Sequence, residues 1–156
     1  MDELEERILS LIEKRENLLR DKESNKLQIW ICEQEIYTYA HLYDTLSGLM
    51  AIKRKNIESY LDIIDYKKNS ITFTWPGLVP SYSHILPMID DLQEEYSDMF
   101  LESEKAKELI SLYDGKKQAL MMQNEEIDEQ ITNIENELEA NEHVKIKENN
   151  YGRHGN

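Results

Sequence analysis

The chain has 156 residues, enough for one domain, with only five Gly and three Pro while 32% of it is charged, a mix that favours long helices over turn-rich folds. A net charge of −14 argues against nucleic acid or an anionic membrane surface as a partner, since either requires a basic face. The single cysteine, Cys32, excludes an intramolecular disulfide and any multi-cysteine metal site within one chain.

The chain opens Met1-Asp2-Glu3-Leu4-Glu5-Glu6, with no basic-then-apolar leader, and no run approaches the ~18 apolar residues of a membrane span. The expectation is a protein made in the cytoplasm, with no membrane insertion. Export would have to use a route that reads no cleaved signal.

From Leu4, alternating steps of four and three residues reach Ile8, Leu11, Arg15, Leu18, Lys22, Asn25, Ile29, Cys32, Ile36, Tyr39, Tyr43, Leu46, Met50, Lys53, Ile57, Tyr60 and Ile64. Fourteen of these eighteen positions are apolar, aromatic or Cys, and no Pro interrupts them. A 3.5-residue period held that long predicts one helix packed along its length against another. The predicted helix covers about 3–68 and, at ~1.5 Å per residue, is on the order of 90 Å long. Lys67-Lys68-Asn69 supplies two cations and a left-handed cap residue to end it.

Residues 70–83 contain no charge and two of the three prolines, and are read as the core of a turn over 69–84 that includes a strand-like Ile71-Thr-Phe-Thr-Trp75. A second seam then runs through Ile89, Leu92, Tyr96, Met99, Ser103, Ala106, Ile110, Tyr113, Lys117, Leu120, Asn124, Ile127, Ile131, Ile134 and Leu138, twelve of whose fifteen members are apolar or aromatic. Pro87 fits only a first helical turn, and Asp90 and Asp91 follow where the dipole favours anions, so the second helix is predicted over about 85–142. Gly115 falls at an outward position of this helix, as an exposed Gly costing ~1 kcal/mol relative to Ala. The alternative is a break that makes 116–142 a separate helix. Residues 143–156, poor in apolar side chains, are expected to be a disordered tail.

Two helices of nearly equal length joined by one short connection fold back antiparallel, so the expected fold is an all-α, two-helix coiled-coil hairpin over residues 1–142. Setting Ile64 opposite Ile89 brings Arg15 to Leu138 and Asn25 near Asn124, where a buried Asn pair can fix the register. The charge is uneven. Residues 85–142 carry 17 Asp and Glu against 4 Lys, while residues 1–68 carry 14 against 11 Lys and Arg.

Nothing in the sequence carries recognisable chemistry: there is no Gly-rich phosphate loop, nucleophile elbow or His-Glu-x-x-His pattern. His41, His84, His143 and His154 are scattered, and the pairs Glu94-Glu95 and Glu125-Glu126 fall off the seam, on solvated faces. Cys32 lies on the seam as a small apolar side chain. The basic triplet Lys53-Arg54-Lys55 is better matched to acids of the second helix than to a nucleic acid. The expectation is a protein without catalytic residues, metal or cofactor.

The seam leaves a remainder. Trp30, Ile31, Ile52, Leu101 and Leu112 lie well away from it, and exposed groups of this size mark an interface. They predict a four-helix bundle completed by a second chain, and the repulsion between two chains of −14 favours a different, less acidic partner over a self-dimer.

Helix, Trp75-Pro76-Gly77, helix resembles the small Trp-x-Gly helical hairpins (WXG100-like) exported by type VII secretion in Gram-positive bacteria. With its long helices the chain is more similar to the accessory proteins that bind the N-terminal helical domain of LXG-type toxins. The resemblance implies a targeting adaptor, co-exported with its toxin. It also implies an aromatic-x-x-x-acid export signal, to which Phe100 and Glu104 are the nearest match. The sequence departs from the pattern in the Pro at the middle of the turn and in placing Phe100 well before the helix end. Two other readings of the same pattern are a self-assembling structural coiled coil, such as a phage or cytoskeletal spacer, and a prefoldin-like chaperone with a β-hairpin at its turn.

Overall fold

The computed structural model describes residues 2–74 and 85–154, with side-chain environments for 2–66 and 85–148. Two helices make up these stretches, α1 over Glu3–Thr74 and α2 over Leu86–His154. The fold is an all-α helical hairpin.

Both helix starts follow from local chemistry. The Asp2 carboxylate accepts a hydrogen bond from the Glu5 N–H at 2.7 Å, and the Asp2 carbonyl accepts the Glu6 N–H at 3.1 Å. The first bond satisfies an otherwise orphaned donor and the second is the first of the helical ladder, while Glu3, Glu5 and Glu6 place negative charge at the positive end of the dipole. At the second start the Ile85 carbonyl accepts from the N–H groups of both Met88 and Ile89, each at 3.1 Å. Pro87, sitting in that first turn, has no N–H to strand.

The helix ends lie further out than their sequence signals. α1 passes through Lys67-Lys68-Asn69 and continues to Thr74, so Ile71–Thr74 is helical rather than strand-like, and six residues of the expected turn belong to the helix. α2 likewise runs past Glu142 to His154, through most of the segment expected to be a disordered tail. The reason is cooperative: once a helix is nucleated, each added residue gains a hydrogen bond, and only Gly or Pro stops it at appreciable cost. Between 143 and 151 neither occurs. The helix is also continuous through Gly115, and a Cβ built there would meet nothing within 4 Å.

The hairpin comprises two compact units, Met1–Gln34 with Tyr113–Asn156 and Glu35–Leu112. In the first, Glu5 pairs with Lys145 at 3.9 Å, Lys22 with Asp128 at 2.6 Å and Glu33 with Lys117 at 3.3 Å, so α1 and α2 run antiparallel. In the second, Lys53 pairs with Glu95 and Arg54 donates to the Tyr96 hydroxyl at 2.7 Å, while Asn56, Ser59 and Ile63 further along α1 share a groove with Leu92, Asp91 and Met88 nearer the start of α2.

Every position of the 3.5-residue seam, from Leu4 to Ile64 and from Ile89 to Leu138, is buried or half-buried. The interior is thin nonetheless. Among the described residues Cys32, Leu46, Ile85, Ile89, Ala106, Ile131, Ile134 and Leu138 are the buried apolar side chains, none of them sealed off completely, with Ser103 and Asn124 as buried polar members. Two helices cover only one stripe of each other, which leaves the edges of every seam residue open to solvent.

Candidate functional site

Lettering each heptad a to g, with the seam at a and d, places the remaining side chains around each helix. Of the seam residues named above, Ile89 and Ile134 are buried, while Ile29, Ile36, Tyr43, Met50, Ile57, Ile64, Tyr96, Ile110 and Ile127 are half-buried. In the first unit the seam contains a polar layer. Asn25 Nδ2 donates to Asn124 Oδ1 at 3.0 Å and lies 3.4 Å from Gln123 Oε1, and Asn124 Nδ2 reaches the Lys22 carbonyl at 3.4 Å. Arg15 lines a surface groove together with Leu138, so both juxtapositions expected from the register are present.

The residues expected to meet a partner are all exposed: Trp30 at 56%, Ile31 at 38%, Ile52 at 57%, Leu101 at 60% and Leu112 at 51%. Trp30 and Ile31 belong to the first unit, at b and c; Ile52, Leu101 and Leu112 belong to the second, with Leu101 at f, on the side of α2 away from the seam. Trp75, Pro76 and Gly77 lie outside the described residues.

Phe100 and Glu104 are one turn apart in the second unit, Phe100 half exposed and Glu104 half-buried. Both line a groove of about 280 Å³ shared with Tyr43, Ala51, Arg54 and Tyr96. The Arg54 guanidinium lies 5.7 Å from the centre of the Tyr96 ring, and the hydrogen bond to the Tyr96 hydroxyl raises its pKa further, so it is a fixed cation. This groove follows the e and b positions, where Ser47, Ala51, Arg54 and Glu104 accompany Phe100.

The groove on the opposite side of the second unit differs. A part of it of about 550 Å³ is lined by Asn56, Ser59 and Ile63 of α1 and Met88 and Asp91 of α2, with Tyr60 and Leu92 at its seam edge. These wall residues are g and c positions. Followed along α1, the same positions give Thr38, Leu42, Thr45, Leu49, Ile52, Asn56, Ser59, Ile63 and Tyr66, all exposed and none charged. On α2 they give Met88, then Asp91, Glu95, Asp98 and Glu102 before Lys105. One wall is uncharged and the other acidic.

Most of this stripe escapes a search for large apolar residues, because Thr, Ser and Asn alternate with Leu and Ile. The signal that finds it is the absence of charge at two heptad positions over four repeats, in a chain that is 32% charged.

Among the described residues, no three His, Cys, Asp or Glu side chains come together as a metal-holding group, and no helix is long and apolar enough to cross a membrane. No family model, curated protein or solved structure matches the chain.

Proposed function

We propose that this protein is a non-enzymatic helical adaptor that binds the N-terminal helical domain of an LXG-type toxin and promotes its export by type VII secretion. The observation that supports a binding role is the imbalance of apolar surface. Among the described residues eight apolar side chains are buried while twenty-one large ones are exposed, and apolar groups that recur along an open helix face mark an interaction surface. The partner being helical follows from the geometry on offer, since exposed rows at heptad spacing accept another helix knobs-into-holes. The resemblance of Trp75-Pro76-Gly77 to the type VII hairpins supports the choice of toxin as that partner. On this reading the adaptor is made in the cytoplasm and leaves with its toxin.

The test is co-expression with the helical N-terminal domain of a toxin encoded beside this gene, followed by size-exclusion chromatography with light scattering. A stable heteromeric complex is the expected result. A homodimer stable alone at micromolar concentration, and unchanged by the toxin domain, would sink the adaptor and leave the structural coiled coil. Replacing Trp75 and Gly77 by Ala is expected to lower export while leaving the complex intact, and the same readout applies to Phe100→Ala with Glu104→Ala.

A further inference from the structure

The two grooves of the 35–112 unit are not equivalent, and the difference specifies an occupant. On the side of the g and c positions, α1 presents Leu42, Leu49, Ile52 and Ile63 in steps of seven, three and eleven residues, with only uncharged side chains between them at those positions. That is a second seam parallel to the first, exposed from end to end. Across the groove, α2 presents Asp91, Glu95, Asp98 and Glu102 in steps of four, three and four. Glu95 is met by Lys53, whereas Asp91, Asp98 and Glu102 are exposed along the rim.

A helix lying in such a groove needs an apolar stripe against α1 and cations against α2. A second copy of this chain supplies neither helix of that kind. The row beyond its own uncharged stripe, His41, Gly48, Lys55 and Asp62, carries a single Lys beside an Asp, and the matching positions of its α2 carry Asp91, Glu95, Asp98 and Glu102 before Lys105. Juxtaposing two such surfaces places like charges along the same rim, which costs affinity at every repeat.

We infer that this groove takes a third helix from another protein, one whose heptad stripe of Leu, Ile or Val is bordered by Lys or Arg on the side facing α2. The inference rests on the adaptor reading above and adds to it the face used and the sequence pattern of the partner. The apolar row provides the area and the acidic rim provides orientation and rate of encounter. The opposite groove, with Ser47, Ala51, Arg54 and Glu104 on its walls beside Phe100, sets a cation and an acid where this one has its uncharged row.

The probes are two synthetic peptides of about four heptads, long enough to dock as a helix, sharing one Leu/Ile stripe and differing only in carrying Lys or Glu at the flanking positions. Binding to the full-length protein is measured by isothermal titration calorimetry. The Lys peptide is expected to bind at least about tenfold more tightly than the Glu peptide, with an advantage that shrinks as salt is raised. Leu49→Asp with Ile52→Asp is expected to weaken the Lys peptide by about tenfold or more. Asp98→Asn with Glu102→Gln is expected to weaken it by roughly threefold to tenfold and to flatten its salt dependence. Ala51→Gln with Ser97→Gln, on the other groove, is expected to leave it unchanged. All six positions are exposed, so the variants keep the fold, which circular dichroism checks.

Equal binding of the two peptides overturns the inference. So does loss of binding in the Ala51→Gln, Ser97→Gln variant while the Leu49→Asp, Ile52→Asp variant is silent; that result moves the site to the other groove and leaves the adaptor standing. Binding of neither peptide removes the groove, and if the protein is then also a stable homodimer by light scattering, the adaptor reading falls separately.

Discussion

Asn25 and Asn124 occupy seam positions where Leu or Ile would bury more apolar area, and their hydrogen bond at 3.0 Å satisfies only part of what two amides can make. Their contribution is therefore to register more than to stability. Asn25→Ala leaves the buried Asn124 amide short of a partner and is expected to cost about 1–2 kcal/mol in urea denaturation. Replacing both by Leu is expected to raise stability above the parent, while spin labels on α1 and α2 report more than one register. If the double variant keeps a single distance distribution, the Asn pair does not set the register. The seam cations behave differently. Lys22, Lys53 and Lys117 extend from the seam to acids on the facing helix, Asp128, Glu95 and Glu33, whose side chains are roughly half exposed, and such pairs are worth little. Lys22→Met is expected to change stability by less than about 0.5 kcal/mol.

At the scale of the helices, the two glycines at outward positions are the clearest points for intervention. A Cβ at Gly48 or at Gly115 meets nothing within 4 Å, so Ala adds no clash and removes backbone entropy from the unfolded chain. Gly48→Ala and Gly115→Ala are each expected to stabilise by about 0.5–1 kcal/mol, and additively, because they lie in different compact units. A loss of stability on Gly115→Ala would mean that α2 does not run straight through this point. The helices and their seams were legible from the 3.5-residue period, because a period integrates over many residues and tolerates an Arg15 or a Lys117. The ends were not, because a cap is a local signal worth about 1 kcal/mol and helix propagation past it costs less than that per residue. Lys67-Lys68-Asn69 reads as a terminus, yet α1 continues past it to Thr74. The candidate interface was legible only where the side chains were large: Ile52 stood out, whereas Thr38, Thr45, Asn56 and Ser59 became informative once the grooves showed which positions share a wall.

For the whole molecule, charge acts in opposite directions on folding and on association. A chain of −14 with its excess on α2 repels itself, so raising salt from low to about 0.5 M is expected to raise the midpoint of thermal unfolding of the free protein. The same change is expected to weaken the complex with a basic-flanked helix, since the acidic rim then attracts less. Measuring both on one preparation separates screening from any general salting-out of apolar surface, which would strengthen the two together.

The antiparallel pairs also differ in how much chain lies between their members. Lys53 and Glu95 are 42 residues apart, whereas Lys22 and Asp128 are 106 apart. Closing the longer loop from an open chain costs about 0.8 kcal/mol more by the logarithmic law. Once the inner pair has met, the outer one closes a much shorter effective loop. Assembly is therefore a zipper with a preferred direction, starting near the bend and running toward the termini, and its reversal opens Glu5 from Lys145 first. A force applied to the two ends of the chain would peel the helices apart one layer at a time, and the Asn25–Asn124 layer would be a marked step along the way.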